Sequence, residues 1–494
     1  MAYLIIRTMS NWRGIRNRVP LVNFYLFTIL SSFILYRGIF MLFLSGKGLT
    51  LAEVGLYQTF FFLANTALEI PTGYIGDRFG RKASIVSGLV ILCIYSLLIT
   101  LTLPVMLVVG LAVIEALAYS LISGSDSALL YDNVKELYGE KSFDRINSQI
   151  HSTRAIAVGF GIVAGSLIST ASWNLLYYLS AAINLSSAFV ALGIRDAHSV
   201  TRQKRLPIKL SDFGSYITHK NPTGFILSIL GIALADGLFI VIFNYNQLTL
   251  KHSSVSTPII GVIFATIYFL NPISYMVAGR LSSQTNKVRL IIWGLLIQAC
   301  ALSLFTLVQS WLLIGVVLLS SLVPEYIFIN YENYVQQNIR SELRATLMST
   351  VSMLRSVSAA FLYLVIGVVM DKADGRLVTS YCGAALFISV LIVVSILRWK
   401  NRNTRRAVQR ISIDEIPLGE YSDDYISRII TQQLEDTLVP PQNGQPPSDR
   451  LSVVLADDGI VIQKGVSSLD ETDLEYVFTQ LVGRLQDKKY PRNI

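Results

Sequence analysis

Gly73-Tyr74-Ile75-Gly76-Asp77-Arg78-Phe79-Gly80-Arg81-Lys82 joins two long apolar runs, and the fold turns on how it is read. Gly73, Gly76 and Gly80 permit close helix approach and a tight turn. Asp77 can face the positive N-terminal end of a neighbouring helix, and Arg81 can pair with a carboxylate. Arg78, Arg81 and Lys82 also gather bases at one mouth of the apolar runs, where they set the orientation of a membrane-spanning chain.

Outward from this loop, apolar windows fall near 20–44, 52–72, 84–103, 105–130, 150–171 and 174–194, and again near 223–248, 258–278, 289–308, 311–330, 345–369 and 378–397. Most are close to the ~20 residues that cross a bilayer as a helix. Of the 494 residues 52% are hydrophobic and 15% charged, against about 25% charged in soluble domains. That balance excludes an ordinary soluble enzyme. The pattern predicts an all-α membrane protein with twelve transmembrane helices in two pseudo-symmetric six-helix bundles.

The expected organisation is a cytoplasmic segment at 1–18, bundles at 19–195 and 223–398, a basic cytoplasmic loop at 196–222, a linker at 399–449 and a small module at 450–494. With the first segment cytoplasmic, twenty-one basic residues lie on that side before the tail, against Lys47, Lys251, Lys372 and Arg376 on the other. The positive-inside rule then puts both termini in the cytoplasm. The net charge of +9 is explained by this topology and calls for no nucleic acid. No cleavable signal is evident, since the first apolar run is too long for one. Cys93, Cys300 and Cys382 fall in apolar runs and read as buried neutral thiols.

The two bundles repeat each other, as duplicated transporter folds do. Arg37-Gly38-Ile39-Phe40 aligns with Asp236-Gly237-Leu238-Phe239 at an offset of 199 residues. Thr72-Gly73 with Ala278-Gly279, and Ser87-Gly88-Leu89 with Trp293-Gly294-Leu295, align at 206. In the second half Ser283 and Lys287 stand where Asp77 and Arg81 stand in the first, so a latch built from the loop is one-sided.

With Glu69-Ile70-Pro71-Thr72 ahead of it, the Gly73–Lys82 loop resembles the cytoplasmic signature loop of the major facilitator superfamily. The resemblance extends over about residues 19 to 398, through Ser123-Gly124-Ser125 and Arg344-Ala345-Thr346. It implies a bacterial secondary transporter of drug or natural-product exporter style in the cytoplasmic membrane. It also implies that Gly73, Gly76, Asp77, Arg78, Gly80, Arg81 and Lys82 form a gating loop that latches the two halves beside span eleven. A purely topogenic basic loop is the plainer alternative. Two departures weaken the drug-exporter likeness: span five lacks the glycine-proline signature, and span four lacks a deep arginine.

An ionisable group at membrane depth costs several kcal/mol and usually faces a cavity or a partner. Arg37, Glu115, Asp236 and Arg355 sit well inside their windows and Glu325 less deep, which makes these five the cavity and coupling candidates. Arg37 and Asp236 occupy matched positions and are expected to form an ion pair, either switchable, separated by substrate or by protonation of Asp236, or permanent. Glu115 is a second candidate proton carrier, or a hydrogen-bonded packing residue. Arg355 can bind an anionic substrate group or pair with Glu325. Asn244, Asn246 and Gln247 line a polar vestibule or are solvated at a span end, and Phe60-Phe61-Phe62 faces an apolar cavity or lipid. Gly161 and Gly165 give a GxxxG spacing for close helix contact.

No Walker-type phosphate loop is present and the four histidines are scattered, so neither ATP hydrolysis, nor metal catalysis, nor any cofactor is expected. In the tail, Leu451–Leu455, Asp457-Asp458-Gly459 and Ile460–Gln463 read as a β-hairpin, and Ser468–Gln486 as an amphipathic helix. This small α+β extension is too small for a core of its own and is expected to dock on the bundle or on a partner. The function expected is alternating-access export of a small amphiphilic molecule with protons as coupling ion. Proton-coupled uptake, or a transport-dead sensor signalling through the tail, are the alternatives.

Overall fold

The computed structural model describes residues 15–195, 222–282, 286–309, 311–338, 344–410, 452–456 and 459–463. The central loop at 196–221, Ser283, the linker from 411 to 449 and the amphipathic helix at Ser468–Gln486 lie outside the described residues. Two compact units are present, Met1–Val390 and Leu391–Ile494.

The helices in chain order are α1 (Ile15–Ser32), α2 (Phe40–Gly46), α3 (Leu51–Phe79), α4 (Arg81–Leu98), α5 (Val105–Tyr138), α6 (Phe143–Ala171) and α7 (Trp173–Leu192). The second set is α8 (Pro222–His252), α9 (Thr257–Ser282), α10 (Lys287–Ser303), α11 (Trp311–Gln337), α12 (Arg344–Met370) and α13 (Gly375–Arg410). Ten of these, α4 to α13, contain a stretch long and apolar enough to cross a membrane. Their outer faces expose Leu107, Phe189, Trp293, Trp311 and Ile388, which suits a lipid surface and would be a liability in water. The chain is a multi-pass membrane protein.

The remaining two apolar windows behave differently. The first, read as one continuous span, is broken: residues 33–39 are not helical and separate α1 from α2. The second is occupied by the 29-residue α3, which carries Glu53, Glu69, Asp77 and Arg78. Non-helical backbone at membrane depth survives only where protein or a cavity covers it, and here α6 covers it. A Cβ on Gly165 would run into the carbonyl oxygen of Leu35, and one on Gly161 would lie 3.0 Å from the Ile34 nitrogen. The GxxxG spacing thus admits an irregular backbone instead of a second helix.

Between the second and third windows there is hardly a loop. Helix α3 runs on to Phe79 and α4 starts at Arg81, with Gly80 alone between them at φ 101° and ψ 138°, a conformation open to glycine and strained for other residues. Helix α13 likewise continues through the basic stretch to Arg410, where a linker from 399 was expected. In the second unit β1 (Ser452–Ala456) and β2 (Gly459–Gln463) pair antiparallel, Val454 opposite Val461.

The internal repeat is visible in the packing. Gly88 lets α4 close on Ala118 and Ile122 of α5, and its counterpart Gly294 lets α10 close on Tyr326 and Ile327 of α11. Gly38 abuts Ile162 of α6, and its counterpart Gly237 abuts Ser358 and Ala359 of α12. The halves meet through two matched helix pairs, α3 with α12 and α6 with α9. None of the three cysteines is fully buried: Cys300 is exposed and Cys93 and Cys382 are half-buried, because apolar runs in a bundle have a lipid side as well as a core side.

Candidate functional site

Between the halves lies a cavity of about 390 Å³, and Arg37, Glu115, Asp236, Glu325 and Arg355 all line it. Each half contributes both signs of charge to its walls, Arg37 and Glu115 from the first and Asp236, Glu325 and Arg355 from the second. Aromatic rings fill the space between them: Phe61 and Phe62 from α3, Phe239 and Phe243 from α8, and Phe328 from α11. Phe60, next in the same triplet, points away and is exposed, as one helix turn requires of three consecutive residues.

The expected pair between Arg37 and Asp236 is not formed. Asp236 Oδ2 instead accepts from Arg355 Nε at 2.6 Å, so both partners come from the second half. The Arg355 guanidinium also lies over the Phe328 ring, 3.7 Å from its centroid, a cation–π geometry. Matched positions in a repeat fix comparable depth, and packing then decides the partner: Gly237 brings α8 against α12, and with it Asp236 against Arg355. Arg37 donates from Nε to the Tyr268 hydroxyl at 3.1 Å, and among the described residues no carboxylate oxygen is within 4.0 Å of it.

Glu115 is enclosed by phenols. Its Oε2 accepts from Tyr57 at 2.7 Å and its Oε1 from Tyr36 at 3.4 Å. Tyr57 shares a hydrogen bond with Tyr95 at 2.8 Å, and Tyr36 one with Tyr119 at 3.2 Å. Glu115 is 6% exposed, and a carboxylate so placed relies on such donors in place of water. Tyr36 and Tyr119 also line the cavity, so the hydroxyl chain runs from the open space to the carboxylate. Nothing in the apolar windows singles these tyrosines out. Buried phenols at membrane depth need a hydroxyl partner, and the i, i+4 spacing of Glu115 and Tyr119 on α5 was the signal available.

The asparagines and glutamine of α8 are neither vestibule nor solvated span end as a group. Asn244 lines the cavity and donates to the Tyr363 hydroxyl at 2.6 Å. Gln247 is fully buried and accepts from the Met41 backbone N–H at 3.0 Å, and Asn246 is 1% exposed.

At one end the halves are fastened together. Asp371 accepts from the backbone N–H groups of Leu51 and Ala52 at 2.7 and 3.0 Å. Tyr245 donates to the Leu51 carbonyl at 2.9 Å, and Thr59 to the Ala360 carbonyl at 2.8 Å. The opposite end, with Gly73 to Lys82, has a different character. Arg81 pairs with Asp132 and donates to the Ala128 carbonyl, both on α5 in its own half. Arg78 stacks on Phe79 and Lys82 donates to the Leu192 carbonyl, while Asp77 is exposed. Among the described residues this cluster makes no hydrogen bond or ion pair across the halves. Also among the described residues, no group of three His, Cys, Asp or Glu side chains is placed to hold a metal.

Comparison with known proteins gives one family, described as the Major Facilitator Superfamily, matching residues 21–363. A curated relative from Buchnera aphidicola subsp. Schizaphis graminum (strain Sg), described as an uncharacterized transporter, is 26% identical over 270 residues, 52% of this chain. The match spans 63% of that relative's length. Among solved structures, the nucleoside transporter NupG superposes with a TM-score of 0.60 at 15% identity, covering 76% of this chain and 98% of the other. A peptide transporter, POT, in complex with sulfate gives 0.60 at 12% identity, covering 78% and 95%. The human organic anion transporter MFSD10 gives 0.53 at 16%, covering 76% and 98%. These likenesses show the fold.

Proposed function

Because the chain belongs to the Major Facilitator Superfamily, we propose that it is a twelve-span transporter that exports a small amphiphilic molecule by alternating access, in exchange for protons. The two halves are residues 19–195 and 223–398, with the 196–222 loop, the Gly73–Lys82 end and both termini in the cytoplasm of a bacterial cell. Cargo occupies the central cavity. The observation that carries this reading is a lining in which aromatic rings alternate with ionisable groups. Such a lining suits a molecule with an apolar body and a polar head.

Glu115 is the proton carrier of the first half and Asp236 a second candidate in the other. Protonation of Glu115 replaces a carboxylate that only accepts by a carboxyl that also donates, and whichever of the Tyr36 and Tyr57 hydroxyls faces the protonated oxygen must then reorient. Protonation of Asp236 would free Arg355. Arg37 faces the cavity with the Tyr268 hydroxyl as its hydrogen-bond partner, which makes it the natural contact for an acidic head group. The tail module docks on the bundle or on a partner.

The test is pH change in lightly buffered proteoliposomes on adding candidate cargo, comparing wild type with Glu115→Gln and Asp236→Asn. Cargo-dependent proton flux, lost in at least one variant, is the expected result. Cargo movement without proton movement would overturn the coupling. Proton movement in the same direction as cargo would replace export by uptake.

A further inference from the structure

A helix begins with N–H groups that have no partner inside it. In α3 the Glu53 N–H goes to the Thr50 hydroxyl and the Thr50 N–H to the Glu53 carboxylate, a capping box. The Leu51 and Ala52 N–H groups have no such local acceptor. Both are taken by the carboxylate of Asp371, one residue beyond α12 and therefore in the other half. A negative group there also meets the positive end of the helix dipole. Around this contact the backbones are close: Gly367 abuts Leu51 and Ala52, and Gly55 abuts the Tyr363 carbonyl.

Helices α3 and α12 run antiparallel, since Leu51 lies by Gly367 while Thr59 bonds to Ala360. Moving sixteen residues along α3 from Thr59 reaches Ile75, two residues before Asp77, and moving sixteen back from Ala360 reaches Arg344, where α12 starts. At ~1.5 Å per residue both steps cover the same ~24 Å. Asp77 therefore stands level with the beginning of α12, as Asp371 stands level with the beginning of α3. Each helix carries, at its C-terminal end, an aspartate suited to the other's N-terminus. The Asp371 contact is made, whereas Asp77 is exposed and has no hydrogen bond or ion pair among the described residues.

We infer that Asp371 is the positioning residue of the outer gate, and that it and Asp77 are reciprocal latches engaged in opposite states of the transport cycle. This rests on the alternating-access reading above. The resemblance already implies a latch at Asp77, and the assignment added here is Asp371 and the exclusive relation between the two. When the outer end opens, the Leu51 and Ala52 N–H groups pass from carboxylate to water. Closing the other end then offers Asp77 the equivalent donors of α12.

The test uses the full-length protein in lipid nanodiscs with its three cysteines replaced by serine and spin labels at Gly46→Cys and Ser256→Cys, one on the outer end of each half. Double electron–electron resonance reads the outer distance in this parent, in Asp371→Ala, in Asp371→Asn and in Asp77→Ala. The expected result is a larger long-distance fraction in Asp371→Ala, by threefold or more, an intermediate one in Asp371→Asn, and a smaller one in Asp77→Ala. Two distances in the parent with fractions unmoved by Asp371→Ala would overturn the latch while leaving alternating access intact. A single short distance in every variant would overturn the alternating-access reading and the latch with it. Size-exclusion profiles and melting temperatures of the variants identify any that fail to fold, and Asp371→Asn, which keeps one oxygen acceptor, serves as the conservative check.

Discussion

Arg355 and Asp236 neutralise each other across α12 and α8 at 2.6 Å, and Arg37, the residue matched to Asp236 by the internal repeat, faces the cavity without joining them. The duplication therefore gave the two halves equivalent scaffolds and different electrostatic duties. An ion pair that is only partly buried and backed by the Phe328 ring resembles a fixed wall element of the cavity as much as a switch.

Removing one partner of that pair leaves the other charge stranded. Arg355→Met and Asp236→Leu are each expected to destabilise the protein by about 1.5–3 kcal/mol, and the double variant by clearly less than the sum. Thermal unfolding in detergent, followed by intrinsic fluorescence, measures both. Additive losses would mean that the two side chains do not act as a unit.

Glu115→Gln keeps the shape of the side chain and removes the titration. Cargo-driven proton flux is expected to fall at least tenfold while cargo binding changes little. Tyr57→Phe deletes the shortest hydrogen bond to the carboxylate, a loss of about 1.5–3 kcal/mol for a bond to a charged group. It is expected to shift the pH midpoint of transport upward, because the charged form loses a donor that favoured it. A pH profile of initial rates reads the shift.

Arg37→Ala is expected to raise KM for cargo with an acidic head by tenfold or more and to leave neutral cargo nearly untouched. Arg37→Lys should recover part of the affinity, since a point charge replaces a forked donor. Equal losses for acidic and neutral cargo would assign Arg37 to packing instead.

Gly165 and Gly73 make a matched control pair. A Cβ at Gly165 meets the Leu35 carbonyl, whereas one at Gly73 meets nothing within 4 Å. Gly165→Ala is expected to cost about 1–3 kcal/mol through overpacking, and Gly73→Ala to be near neutral. Melting temperatures of the two variants decide it.

The helices were legible because lipid demands long apolar runs, and the repeat was legible because Gly88 and Gly294, or Gly38 and Gly237, do the same packing work in each half. The five charged residues that line the cavity were legible for a related reason: charge at membrane depth is rare enough to stand out. Their partners were not. Asp236 finds Arg355 through a side-by-side fit of α8 and α12 that no spacing encodes, and Arg37 finds Tyr268 on α9 in the opposite half. The break at 33–39 was also hidden, since Phe33 to Ile39 falls inside one continuous apolar window and only the glycines of α6, far along the chain, make room for it. Asp371 lies outside every apolar window and carries no signal in the sequence, because a cap is defined by whose N–H groups it meets.

The pairing of Asp236 with Arg355 has an electrical consequence. A unit charge that crosses the full membrane field exchanges about 2.3 kcal/mol per 100 mV, but two opposite charges moving together exchange almost nothing. As long as that pair stays closed, its displacement during the cycle is silent to membrane voltage. Whatever voltage dependence the transport current shows must then come from the other charged groups of the cavity and from the cargo itself.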